Sequence, residues 1–101
     1  MEEDILGNAI NEKKTIRRFV LDEANKIVNC DRNEQYGEPE DNFATIAKLW
    51  SAYLDVSLYP MDVAIMMTLF KIGRIEAYPD KADSWIDAAG YIACGAEIAL
   101  K

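Results

Sequence analysis

The chain has no histidine, only two cysteines, and too few basic residues to balance its acids. Each shortage removes a class of function. Without histidine there is no Ser-His or Cys-His nucleophile pair, and the commonest general base is missing. Cys30 and Cys94 lie far apart and no histidine is present to complete a ligand set, so a structural zinc site within one chain is not expected. The 11 basic and 18 acidic residues leave a formal net charge of −7. That charge works against nonspecific binding to DNA, RNA or anionic membrane, all of which reward positive surface. It suits a protein that binds basic surfaces or mimics nucleic acid. No apolar run approaches the ~20 residues that a membrane-spanning helix needs. The opening residues, MEEDILGNAINEKK, lack the basic start and apolar centre of a secretion signal. Cytoplasmic residence with reduced thiols is the expectation.

What remains is enough to build a core. Half of the 101 residues are hydrophobic, which fits one domain spanning residues 1–101. Proline is scarce, and its three copies, Pro39, Pro60 and Pro79, each fall where a helical pattern starts or stops. The first helical stretch covers residues 15–29, with Ile16, Phe19, Val20, Ala24, Ile27 and Val28 on one apolar stripe. Residues 5–11 form a leading turn or an extension of it. The second covers 39–54, opening on Pro39 with Glu40 and Asp41 at the positive helix end. Its stripe runs through Phe43, Ile46, Ala47, Trp50, Tyr53 and Leu54. The third covers 60–78, is apolar almost all round, and is expected to be the most buried. The fourth covers 82–100 and is rich in alanine, with Gly90 and Gly95 permitting close backbone approach. No segment alternates as a strand would. The expected fold is all-α, a compact bundle of four main helices. So many large apolar residues in so short a chain also point to a homo-oligomer.

The candidate functional residues fall in three places. On the fourth helix Asp83, Asp87, Gly90, Cys94 and Glu97 share a face, with Asp80 at the helix entrance. Carboxylates one turn apart can hold a hard cation such as Mg²⁺, making Asp83 and Asp87 candidate metal ligands. The plainer alternative is a polar face on which Asp80 and Asp83 favour the positive helix end. Asp87, set among apolar neighbours, needs a partner, and Lys71 or Arg74 is the natural one. Lys71 and Arg74 lie three residues apart on the third helix. They can clamp a phosphate, or they can serve as structural ion-pair partners. The third place is the stretch RNEQYGEPEDNF. There Arg32 can touch a phosphate, Tyr36 or Trp50 can stack on a base, and Asn42 can read a base edge. The competing assignments make Tyr36 and Trp50 core aromatics and Asn42 a helix cap. Gly37 is expected at an unusual backbone angle. Lys13, Lys14, Arg17 and Arg18 form a small basic patch that reads as a solvated face.

The blocks QYGEPEDNFATIAKLWSAYL, DVAIMMTLFKIGR and DSWIDAAGYIACGAEI, in this order, resemble a family of small phage and prophage proteins of unassigned function. The resemblance covers about residues 30–100 and implies a phage or prophage gene in a bacterial host. A more distant similarity is to all-α nucleotide pyrophosphohydrolases of the MazG type. It implies an oligomeric bundle whose acidic residues hold Mg²⁺ around a nucleoside triphosphate, with DSWIDAAGY as the last acidic helix. The paired-glutamate EExxE helix of that type is missing, since Glu38 and Glu40 belong to a loop or helix start. Two functions compete. One is a non-enzymatic accessory protein that binds a nucleotide or a host defence protein in a counter-defence role. The other is an Mg²⁺-dependent nucleotide hydrolase, with Asp62 joining Asp83 and Asp87 and with Lys71 and Arg74 stabilising charge. A structural homo-oligomer is a third option.

Overall fold

The Thr15 side-chain oxygen accepts from the Arg18 N–H at 3.1 Å and caps the first helix. The computed structural model describes residues 15–31 and 37–101. Helix α1 is Ile16–Lys26 and runs on into a π-helical turn, Ile27–Asp31. Helix α2 is Pro39–Leu54, α3 is Pro60–Ala77 and α4 is Ala82–Leu100. Among the described residues there are four helices and no strand, as the apolar periodicity predicts. The region 5–11 lies outside the described residues.

Local chemistry sets each boundary. Gly37, at φ +81°, leads into Glu38 and then Pro39 at the first position of α2. Asp55 closes α2 in the left-handed region, at φ 56° and ψ 44°, a conformation that aspartate tolerates better than most residues. The turn that follows is sealed by Ser51, whose hydroxyl accepts from the Leu58 N–H at 2.8 Å. Pro60 opens α3, and the Asp62 carboxylate accepts from the Tyr59 N–H at 2.8 Å. The link to α4 is held by Trp85, whose indole N–H donates to the Pro79 carbonyl at 2.9 Å.

Short turns make α2, α3 and α4 successive antiparallel neighbours, and α4 also packs along α1. The core is Phe43, Ala47, Val63, Ala64 and Cys94, with Val28, Ile46, Trp50, Met67, Tyr91 and Ile98 packed around it. Trp50 is therefore a core aromatic. The hub of the bundle is α4, not α3. Helix α3 buries Val63, Ala64 and Thr68, no more residues than α2 or α4, while Ile65, Leu69, Phe70 and Ile72 stay exposed. The physical reason is side-chain size. The alanines and glycines of α4 let two helices approach, whereas α3 carries bulk on every side and can turn only one side inward. Gly95 marks the tightest approach: a methyl there would lie 3.0 Å from the Ala64 Cβ. The stripe of α2 also stops short, since Tyr53 is 89% exposed and Leu54 is exposed beyond the reach of α3.

Candidate functional site

The inward face of α4 determines what its acidic residues can do. Gly90 and Cys94 are buried and Asp87 is half-buried, so the face expected to carry chemistry is turned largely into the bundle. Asp83, one turn earlier, is exposed and carries an interaction of its own. Asp87 meets Lys71 across the α3–α4 contact, Oδ2 to Nζ, at 2.9 Å. The partner that burial demands is thus supplied by the helix expected to supply it.

Arg74 takes a different role from Lys71. Its guanidinium lies over the Phe70 ring, 5.2 Å from the centroid, and the Lys71 ammonium is 5.7 Å from the same ring. Phe70 is thus flanked by both cations of the pair, an exposed cation–π contact of about 0.5–1 kcal/mol. Asp62 does not reach this group. It lies nine residues before Lys71 on α3, about 14 Å along the axis, and its carboxylate is engaged by the Tyr59 N–H. Among the described residues no three cysteines or carboxylates gather in a way that would hold a metal ion.

The start of α2 closes this end of the bundle. Asn42 is half-buried in the second turn and has a partner. It is not the cap, because Glu38 occupies that position and its carbonyl accepts from the Asp41 and Asn42 N–H groups. Phe43 faces Tyr91 with ring centroids 6.1 Å apart. Between Phe43, Asp87, Tyr91, Cys94, Val28 and Pro39 lies a cavity of about 120 Å³. Arg32 and Tyr36, from the loop before α2, lie outside the described residues. The structure therefore brings Lys71 and Asp87 together, places Arg74 one turn along, and sets Asn42 at the neighbouring helix start. Sequence reasoning missed Tyr91 and Phe43 as cavity walls. Their spacing marks them only as core residues, and nothing in it shows that α2 and α4 leave a gap.

Residues 19–99 match the family model described as "Domain of unknown function (DUF6378)". The chain belongs to this family. The DUF6378 match spans α1 to α4, so the family unit is the four-helix bundle itself. The chain is also 41% identical over 75 residues to the Gene 55 protein of Mycobacterium phage D29, covering 74% of this chain and 50% of that protein. A second relative, the Gene 55 protein of Mycobacterium phage L5, is 41% identical over 73 residues, covering 71% of this chain and 47% of that one. The chain spans about half the length of these curated relatives. No solved structure matches. The resemblance to small phage proteins is therefore upheld at the level of the family. No described helix is long and apolar enough to cross a membrane.

Proposed function

We propose that this chain is a non-enzymatic phage accessory protein that works by binding a protein of the infected bacterium, in a counter-defence role. The observation that carries this reading is the Lys71–Asp87 ion pair. A pyrophosphohydrolase of the MazG type needs carboxylates on two helices converging on Mg²⁺ around a triphosphate. Here the inward carboxylate of α4 is matched by an ammonium, and Asp62 is spent on the start of α3. The cavity beside Asp87 has a volume of about 120 Å³, well under the roughly 300–1,000 Å³ of pockets that enclose a small-molecule ligand. A net charge of −7 favours a basic protein surface over nucleic acid as the partner. Membership of a family with phage relatives supplies the setting.

The test uses the phage that carries the gene. Deleting the gene should lower plating on a restrictive host by on the order of tenfold or more, and the wild-type gene should restore it. A Lys71→Met/Asp87→Leu double variant, which replaces the ion pair by apolar bulk, should restore plating equally well. Failure of this variant despite a native helical signature, together with Mg²⁺-dependent hydrolysis of a nucleoside triphosphate by the wild-type protein, would sink the proposal in favour of the hydrolase.

A further inference from the structure

A larger hollow lies across α4 from the Asp87 cavity. It is a groove of about 880 Å³ where the first turns of α1 face the last turns of α3 and the outer side of α4. Five of its large apolar lining residues are exposed: Ile16 and Leu21 from α1, Ile72 from α3, and Trp85 and Ile92 from α4. Each keeps between 47% and 62% of its surface exposed. About half of the surface of these five apolar side chains is thus left uncovered. The face also continues past its rim. Ile92 is shared with a second apolar hollow of about 340 Å³, lined by Met61, Ile65, Gly95, Ala99 and Leu100. The two hollows together make one apolar face running along α3 and α4.

Charge identifies the occupant. The groove contains two charged residues of opposite sign, Arg17 on α1 and Asp80 in the turn before α4. Both are exposed, and neither forms an ion pair among the described residues. Two copies of a chain with net charge −7 repel each other over most of their surface. This face is the exception, because its charges sum to zero.

We infer that the groove is the interface of a two-fold homodimer, in which the Arg17 of each copy meets the Asp80 of the other across the apolar floor. A two-fold axis makes every contact reciprocal, so one positive and one negative residue on a single patch suffice to make it self-complementary. The α1 and α3 residues left exposed among the described residues are covered by the same residues of the second copy. This dimer does not depend on the counter-defence reading, since it uses the side of α4 turned away from Asp87.

Sedimentation equilibrium on the full chain tests it. The wild-type protein should sediment at twice the 11.4 kDa chain mass. Leu21→Glu/Ile72→Glu, with helical content checked by circular dichroism, should raise the dissociation constant by on the order of tenfold or more. Arg17→Asp alone and Asp80→Arg alone should each weaken the dimer by setting like charges face to face. The double reversal Arg17→Asp/Asp80→Arg should restore it. A wild-type monomer at high micromolar concentration would overturn the inference. So would a dimer indifferent to the groove substitutions, or charge reversals that fail to compensate.

Discussion

Asp87 and Lys71 form a pair held between water and the interior, their side chains 34% and 20% exposed. A fully exposed pair is worth at most about 1 kcal/mol, while breaking a buried one costs about 3–5 kcal/mol. Asp87→Asn should fall between these limits, destabilising the fold by about 2 kcal/mol in urea denaturation because the Lys71 ammonium is left without its counter-charge. Lys71→Met/Asp87→Leu should lie within about 1 kcal/mol of the wild type, since two apolar side chains of similar volume have no desolvation penalty to recover. Gly95 is governed by space instead. A methyl there meets the Ala64 Cβ at 3.0 Å, and both atoms are fixed to helical backbone. Gly95→Ala should therefore lose about 1–3 kcal/mol from overpacking, outweighing the helix propensity it gains. Gly90→Ala meets only the Val28 side chain, at 3.2 Å, which can move slightly, and its penalty should be smaller.

The elements are where the sequence is most readable. Pro39 and Pro60 mark helix starts because their missing N–H groups cost nothing there, and the apolar period does the rest. Asp62 and Ser51 then finish the ends with hydrogen bonds that composition cannot reveal. Two predictions belong to this scale. Gly73 sits inside α3 with nothing within 4 Å of an added methyl, so Gly73→Ala should stabilise by about 0.5–1 kcal/mol, read as a rise in thermal midpoint. Ser51→Ala removes the acceptor of the Leu58 N–H and should cost about 1 kcal/mol by the same measurement. Burial was harder to read than helix position. An all-round apolar helix such as α3 reads as buried, yet it leaves Leu69, Phe70 and Ile72 outside because the other described helices are too few to surround it. The pairing of Asp87 with Lys71 was legible, since a carboxylate among apolar neighbours must find a cation. The gap between Phe43 and Tyr91 was not, because it depends on how α2 and α4 lean.

At the scale of the whole molecule, the proposed dimer would tie the stability of the bundle to association, because it covers α3 and the outer side of α4. If the dimer dissociates before or as it unfolds, the thermal midpoint of the wild-type chain should rise with protein concentration. The Leu21→Glu/Ile72→Glu variant should unfold at a lower temperature that no longer depends on concentration. Differential scanning calorimetry over a hundredfold concentration range checks both outcomes.

The two tryptophans give this molecule a built-in pair of optical probes. Trp50 is packed against the core, whereas Trp85 lines the open groove with 47% of its surface exposed and its indole N–H bound to Pro79. A soluble quencher should therefore dim the Trp85 emission first and leave that of Trp50 until the fold opens. Any covering of the groove would protect the first signal and leave the second unchanged. With Trp50→Phe and Trp85→Phe variants to assign each signal, one fluorescence titration separates association from unfolding without any label.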